Sequence, residues 1–170
     1  EKDTPKQEAK MAHLPRIGAR MAELLAEEAN GGMSSLVCGD FNVVRSQADI
    51  KNWKPNHNRV AGVLDEEIAH LENWFSAGWV DVARSLAPDE QGPYTWWSQR
   101  GKAFDNNAGW RIDYQVITPA LAERARSVEP VKVSRLSISG IQSTSTFAVC
   151  MKAICTSRPS RARLLRLRSM

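Results

Sequence analysis

The sequence predicts an α/β domain in which amphipathic helices alternate with short strands. Apolar side chains recur at three- and four-residue spacing across residues 5–28, which predicts a helix that ends at the glycine pair 31–32. Pro15 lies inside this pattern and predicts a kink or a later helix start. Residues 35–38 form an apolar run typical of a buried strand. Residues 109–118 alternate apolar and polar side chains, as a strand with one buried face does.

The remaining segments up to residue 131 continue the mixed pattern. Aromatic and β-branched residues indicate strands, helical spacing indicates helices, and polar stretches with glycine and asparagine indicate loops. In chain order, we predict a surface loop over 45–62, a helix over 63–77, a short helical turn over 79–87, a strand over 94–97, a loop over 99–108, a short helical turn after Pro119 and a strand over 124–131.

The composition excludes several classes of protein. Hydrophobic residues make up 42% and charged residues 25% of the 170-residue chain, values typical of a globular domain. No apolar run of about 18 residues occurs, which excludes a transmembrane helix. Three cysteines are too few and too unevenly spaced for a disulfide framework or a zinc site. The start of the chain has no apolar signal region, so we expect a cytoplasmic protein.

The net charge of +4 is unevenly distributed along the chain. Residues 131–170 contain eight Lys and Arg and no acidic residue, which leaves 15 basic and 19 acidic side chains in residues 1–130. The first 130 residues therefore carry a net charge of −4. Because the basic character belongs to the C-terminal segment, the overall charge is no argument for nucleic-acid binding by the rest of the chain.

Asp40 and Asn42 follow the first predicted strand, in the sequence Gly-Asp-Phe-Asn. Since strand side chains repeat every two residues, the alternation predicts that both point to the same side. A carboxylate and a carboxamide presented together can deprotonate and orient a water molecule. The alternative is an Asx-turn, in which these side chains bond to their own backbone.

Asp113 lies in the alternating segment Trp-Arg-Ile-Asp-Tyr. One interpretation is an ordinary hydrogen bond or ion pair, for example with its neighbour Arg111. The other is a buried carboxylate that orients a catalytic histidine, as in hydrolytic sites.

Taken together, these motifs resemble those of one family. Residues 39–42, 79–81, 94–97, 100–107 and 109–114 occur in the order and spacing of exonuclease III and the related apurinic/apyrimidinic endonucleases, within the endonuclease/exonuclease/phosphatase superfamily. The resemblance covers roughly residues 4–131. It implies part of a four-layered α/β sandwich, in which two mixed sheets pack face to face between helices. It also implies hydrolysis of DNA phosphodiesters at abasic sites and 3′ ends, with Mg²⁺ or Mn²⁺ as cofactor, and a monomeric complete enzyme without membrane contact.

The resemblance assigns roles to matched residues. Asp40 would activate the water, Asn42 would help to hold the phosphate and both would be metal ligands, while Asp113 would orient the family's C-terminal histidine. Trp96, Trp110 and Ile112 match the apolar pocket that receives a flipped-out abasic sugar, although large apolar side chains also simply fill cores.

Two polar loops match segments that touch DNA in relatives. Phosphate contacts from such side chains are independent of sequence and sensitive to salt, whereas solvated loop charges are the ordinary alternative. The candidate DNA-binding residues are Lys51, Lys54, Asn56, Asn58, Arg59, Arg100 and Lys102.

The sequence also departs from the family. The metal-binding Glu of the family's N-terminal half has no counterpart, and no Ser-Asp-His motif follows residue 131. We therefore expect two parts, a portion of the family domain over residues 1–131 and a non-homologous basic tail over 132–170, frameshifted or disordered.

We expect the chain alone to be unstable and inactive, because half of a two-sheet core leaves apolar surface exposed. The alternative functions are a non-catalytic DNA-binding remnant and a phosphatase or phosphodiesterase of the same superfamily.

Overall fold

The computed structural model describes residues 4–131, 150–155 and 162–166. The helices are α1 (Pro5–Ala29), α2 (Trp53–Asn56), α3 (Asp65–Ser76), α4 (Val82–Leu86) and α5 (Pro119–Ala122), with a 3₁₀ turn at Gln47–Asp49. The strands are β1 (Ser34–Asp40), β2 (Val80–Asp81), β3 (Trp96–Trp97), β4 (Gly109–Trp110), β5 (Asp113–Ile117), β6 (Ala125–Val131), β7 (Cys150–Cys155) and β8 (Ala162–Arg166). This is an α/β fold, as the sequence predicts.

Helix α1 begins at Pro5, ten residues before Pro15, the proline inside the helix. The Thr4 hydroxyl accepts a hydrogen bond from the backbone N–H of Gln7, and Pro5 stands in the first turn, where its missing N–H costs nothing. The helix then continues through Pro15 to Ala29, so the predicted later start is wrong.

The largest sheet has the strand order β2-β5-β1-β8. Strand β1 pairs antiparallel with β5 on one side and parallel with β8 on the other. Two further pairs, β3 with β4 and β6 with β7, are antiparallel. In the β1–β5 pair the residue opposite Asp40 is Asp113, so the sheet brings together two carboxylates that are 73 positions apart in the sequence.

The main core lies between this sheet and helices α1 and α3. Apolar residues of α1 and α3 pack against alternate residues of β1 and β5. The fully buried ring of Tyr114 meets Phe41 edge to face, with 5.5 Å between ring centroids, and its hydroxyl donates to the carbonyl of Val43 at 2.8 Å. This buried bond holds the segment that follows β1 against β5.

Several local predictions need correction. The segment 45–62 is not a featureless loop, since it contains the 3₁₀ turn and α2 and buries Asp49 and Ile50. The predicted strand 109–118 is two strands, because residues 111 and 112 leave the ladder. Within 132–170, where the sequence predicts no element, the structure describes β7 and β8. The four-layered sandwich itself stays a prediction.

Among the described residues, no helix combines the length and the apolar character that crossing a membrane requires.

Candidate functional site

The candidate site is centred on the carboxylates of Asp40 and Asp113 at the adjoining ends of β1 and β5. Both residues are half-buried. Burial raises the pKa of Asp40, although the N–H of Asn42 and the charge of Lys10 partly offset it. Burial also raises the pKa of Asp113, to about 6, with a further contribution from the nearby negative charge of Asp40. The two carboxylates stand at opposing positions of the strand pair, so ionisation of Asp40 disfavours ionisation of Asp113.

The chain turns directly after Asp40, so Asp40 and Asn42 do not lie on one strand as the alternation predicts. The strand ends at Asp40, and Asn42 adopts a left-handed backbone with φ of 50°. The N–H of Asn42 donates to Asp40 Oδ1 at 2.9 Å, which is an Asx-turn. The two side chains also hydrogen-bond to each other. They are therefore neighbours because of the turn, and the Asx-turn coexists with a shared polar site.

A buried threonine fixes the position of Asp113. The hydroxyl oxygen of Thr95 accepts hydrogen bonds from the backbone N–H of Ile112 at 3.0 Å and of Asp113 at 3.1 Å. The Thr95 side chain also hydrogen-bonds the Asp113 carboxylate, which favours its charged form. Thr95 is fully buried, so these bonds are shielded from water. No described hydrogen bond joins Asp113 to a histidine.

A buried ion pair fixes the other half of the site. Lys10 Nζ on α1 donates to the carbonyl of Asn42 and to Glu67 Oε1, both at 2.7 Å. Glu67, on α3, is completely buried, and its second oxygen accepts from the N–H groups of Gly62 and Leu64. One carboxylate thus connects α1, the Asp40 turn and the start of α3. Breaking such a pair from one side costs about 3–5 kcal/mol.

Arg111 does not pair with Asp113, so the ion pair between these two neighbours that was one interpretation of Asp113 is absent. Its guanidinium is fully buried and donates to Asp49 Oδ1 at 2.7 Å and to both oxygens of Asp81 at 3.0 and 2.8 Å. Asp49 also accepts from Arg84. Burial opposes ionisation of Asp49, but the arginines outweigh it and lower its pKa. This network anchors the 45–62 segment to the strand that leads to Asp113.

The three residues of the predicted apolar pocket do lie together. Trp96 and Trp110 are opposite each other on β3 and β4, with ring centroids 5.8 Å apart in an edge-to-face arrangement. Both are partly exposed and pack against a small cluster that includes the buried Ile112. A Cβ added to Gly62 would lie 2.7 Å from the Asn42 carbonyl and 3.4 Å from the Trp110 ring. Gly62 therefore lies between the Asp40 turn and the aromatic pair.

The candidate DNA-binding residues divide into two groups. Lys51, Lys54, Arg59, Arg100 and Lys102 are exposed. The two asparagines have structural partners. Asn56 donates to the carbonyl of Asn52 at 2.6 Å, and Asn58 exchanges hydrogen bonds with the side chain and N–H of Asp65 at 2.6 and 2.8 Å. Asn58 and Asp65 thereby hold the loop against the start of α3.

The described residues do not form a complete metal site. Carboxylate and amide oxygens suit Mg²⁺, and Asp40 and Asn42 offer one of each. However, the described part of the chain has no group of three His, Cys, Asp or Glu side chains that could hold a metal ion.

Sequence reasoning misses Lys10, Glu67, Thr95 and Asp49, the residues that position the site. Lys10 and Thr95 lie far in sequence from their partners, and nothing in the local pattern distinguishes them from surface residues. Asp49 and Glu67 do have a local signal, since an acidic residue at the third position of a helix or turn can bond back to its start.

The chain is similar to known nucleases in sequence and in fold. A model of the Endonuclease/Exonuclease/phosphatase family matches residues 4–157. An exodeoxyribonuclease of Bacillus subtilis is 45% identical over 89 residues, covering 52% of this chain and 35% of that protein. The DNA-(apurinic or apyrimidinic site) endonuclease of Dictyostelium discoideum is 35% identical over 114 residues, covering 67% of this chain and 30% of that protein. The structure of an AP endonuclease from Archaeoglobus fulgidus matches with a TM-score of 0.75 at 22% identity, over 92% of this chain and 57% of that chain.

These matches have two consequences. The chain spans 35% and 30% of the lengths of the two curated relatives, so it corresponds to part of each. The family match continues past residue 131, the boundary that the sequence predicts, as far as residue 157. The origin of residues 132–170 stays a prediction.

Proposed function

Because the chain belongs to the endonuclease/exonuclease/phosphatase family, we propose that it is part of a DNA-repair hydrolase of the exodeoxyribonuclease III and AP endonuclease type. The proposed substrate is double-stranded DNA, cleaved at abasic sites and trimmed from 3′ ends. The observation that carries the proposal is that Gly62 lies against both the turn that follows Asp40 and the ring of Trp110, so the Asp40–Asp113 pair of β1 and β5 is close to the Trp96–Trp110 pair of β3 and β4.

In the proposed reaction, Asp40 takes the proton from a water molecule that attacks the phosphorus atom. A general base works best when its pKa lies near the working pH, and burial moves the pKa of Asp40 in that direction. The amide N–H₂ of Asn42 donates to a phosphate oxygen. Asp113, held by Thr95, orients a proton donor for the leaving oxygen. Such a donor is not among the described neighbours of Asp113.

The aromatic pair recognises the substrate. A deoxyribose without a base is small and apolar on its faces, so it would pack against the apolar surface formed by Trp96, Trp110 and Ile112, whereas an intact nucleotide would be too large. The exposed cations of the two loops contact the DNA backbone and confer salt-sensitive affinity. Because these cations contact phosphates and not bases, they give no preference for a DNA sequence. An enzyme that recognises a lesion in any sequence requires this.

The cofactor that we propose is Mg²⁺ or Mn²⁺, which would stabilise negative charge on the phosphate. Asp40 and Asn42 would hold it through their side-chain oxygens. Because the described residues do not complete a ligand set, the remaining ligands would come from outside them.

Binding of a duplex with a central tetrahydrofuran residue, an abasic analogue, tests the substrate assignment. We expect the chain to prefer this duplex to the intact one. We expect Trp96→Leu to lose the preference by roughly tenfold, equivalent to ~1.4 kcal/mol. Trp53→Leu is the matched control, because Trp53 packs against the same cluster but stacks on His57.

Equal binding of the two duplexes by the unmodified chain would contradict the proposed substrate. Binding of the abasic duplex without cleavage by any form of the protein would favour a non-catalytic DNA-binding role. Hydrolysis of a simple phosphate monoester in preference to DNA would favour a phosphatase of the same superfamily.

A further inference from the structure

A largely buried lysine lies behind the turn that carries Asn42. Lys10 is on α1, and its side chain is 10% exposed. Its ammonium donates to the carbonyl of Asn42 and to Glu67 Oε1, both at 2.7 Å. Replacement of a buried ion pair by apolar residues is often neutral or stabilising, because it is costly to remove two charges from water. Stability alone is therefore a weak reason for this pair, and the geometry that it fixes is a better one.

The backbone of Asn42 needs such a restraint. It is left-handed, with φ of 50°, a region that asparagine adopts more readily than most residues but that is still uncommon. A return to negative φ would turn the side chain away from Asp40, with which it hydrogen-bonds. The Lys10 ammonium binds the carbonyl of the same residue, and a bond from a charged donor is roughly twice as strong as one from a neutral donor. Lys10 thus opposes this rotation.

Glu67 extends the restraint to the aromatic pair. Its Oε1 accepts from Lys10, and its Oε2 accepts from the backbone N–H of Gly62. Gly62 in turn lies against both the Asn42 carbonyl and the Trp110 ring. Because Glu67 is completely buried, water does not compete for these bonds. The two oxygens of one carboxylate therefore set the position of Asn42 relative to the aromatic pair.

We propose that Lys10 is a positioning residue for the cleavage of DNA and that it acts through Asn42. It holds the Asn42 side chain where the amide can donate to a phosphate oxygen. Glu67 keeps that amide at a fixed distance from the aromatic pair against which the baseless sugar packs. Lys10 itself stays behind the turn, bonded to its two partners. The inference rests on the proposed function, because it requires a DNA phosphate beside Asn42.

A double-mutant cycle on the full chain tests whether Lys10 acts through Asn42. We expect Asn42→Ala to weaken binding of the tetrahydrofuran duplex by about 10- to 100-fold, the loss for one hydrogen bond to a charged group. Lys10→Met removes the charge at similar side-chain length and should weaken binding to a similar extent. Because the second change then has nothing further to remove, the chain with both substitutions should bind as Asn42→Ala does.

Gln7→Leu is the matched control for Lys10→Met. The Gln7 amide also projects from α1 and donates to the same oxygen of Glu67, at 2.9 Å. The described hydrogen bonds of the Gln7 side chain do not include Asn42. Gln7→Leu thus removes a bond to the ion pair without releasing the Asn42 carbonyl, and we expect binding of the duplex to be unchanged.

A variant that lacks both charges separates positioning from folding. Lys10→Met leaves Glu67 buried without its cation and should lower the urea concentration at the midpoint of unfolding. Lys10→Met combined with Glu67→Gln leaves no unpaired charge, so the midpoint should return close to that of the unmodified chain. Binding should remain as weak as in Lys10→Met, because the Asn42 carbonyl still lacks its ammonium. If Lys10→Met does not fold, this variant takes its place in the cycle.

The outcomes that would overturn the inference differ from those that would refute the proposed function. Recovery of duplex binding together with stability in the variant without charges would show that the pair only supports the fold. Additive losses in the cycle, or unchanged binding by Asn42→Ala or by Lys10→Met, would also overturn the inference while the proposed substrate stands. A chain that does not distinguish the tetrahydrofuran duplex from the intact one would instead refute the proposed function, and this inference with it.

Discussion

At the scale of single residues, Asp113 combines two unfavourable conditions. It is half-buried, and the residue opposite it on β1 is a second carboxylate. Like charges directly opposite each other destabilise a strand pair. One interaction compensates, the hydrogen bond from Thr95. An arrangement that lowers stability at a strand end is expected where a site needs a particular charge distribution.

The stability of the chain should therefore respond to Asp113→Asn. The folded-state pKa of Asp113 is about 6, above the usual value of about 3.9 in an unfolded chain. Its contribution to stability is thus fully present below pH 4 and is lost as the pH rises through 6. We expect Asp113→Asn to be more stable than the unmodified chain at pH 7, by about 1–2 kcal/mol after allowance for partial exposure.

Urea unfolding at a series of pH values between 4 and 7 measures this difference. The exposed Asp89, substituted in the same way, is the control and should leave the curve unchanged. A less stable Asp113→Asn variant at pH 7 would show that the carboxylate is stabilised rather than strained in the fold.

The residue chemistry could be predicted from the sequence only in part. Strand patterns place Asp40 at a strand end and Asp113 inside a strand over 109–118, whereas the structure places Asp113 at the start of β5. The family motifs imply that both are site residues. Thr95 and Lys10 could not be found in this way, because their roles depend on contacts across 18 and 32 positions. Arg111 looks like the partner of its neighbour Asp113, yet its actual partners are 62 and 30 positions away.

At the scale of elements, the site depends on the contact between the turn after β1 and the segment before α3. Gly62 makes this contact with φ of +91°, and its carbonyl accepts a hydrogen bond from the backbone N–H of Val44 at 2.9 Å. Only a residue without a side chain allows the two segments to approach this closely.

Gly62→Ala should consequently disturb the site more than an ordinary glycine substitution. Its new Cβ would lie 2.7 Å from the Asn42 carbonyl oxygen, a clash in addition to the backbone penalty of about 1–2 kcal/mol for a left-handed residue. Gly31→Ala is the matched control, because Gly31 has a φ of +78° and nothing within 4 Å of the added Cβ.

Comparison of the unfolding free energies of the two variants isolates the clash. We expect Gly62→Ala to be destabilised by at least about 1 kcal/mol more than Gly31→Ala, the usual minimum for a forced overlap in a packed region. Equal effects would mean that the turn and the α3 segment move apart easily, and that Gly62 does not fix the position of Asn42.

The elements themselves show where sequence patterns suffice. Helices α1 and α3 are long enough for their periodicity to be read, and their apolar faces form the core as expected. The segment 45–62 has no period because its structure is set by distant contacts, above all the Asp49–Arg111 pair. The break between β4 and β5 follows from the same pair, since the N–H of Arg111 donates to the Asp49 carbonyl at 2.7 Å instead of to a strand.

At the scale of the whole molecule, the order of the strands could not have been derived from the sequence alone. The periodicity of a sequence predicts where strands lie but not which strands pair. Here β1 pairs with two strands that lie more than 70 positions downstream. One of them, β8, comes from the basic segment that the sequence assigns to no element. Leu165 of β8 packs against the main core, so this segment contributes to the fold.

The central claim is that the Asp40–Asp113 pair belongs to a site that cleaves DNA. Because the chain corresponds to 35% of the Bacillus subtilis exodeoxyribonuclease, the direct test is a chimera in which the matching segment of this chain replaces that part of the relative. We expect the chimera to incise a tetrahydrofuran duplex in the presence of Mg²⁺. Asp40→Asn should reduce the rate by at least about 100-fold, as expected for loss of a general base, while Asp89→Asn should leave it unchanged. A folded chimera that cleaves equally well with and without the Asp40 carboxylate would contradict the account.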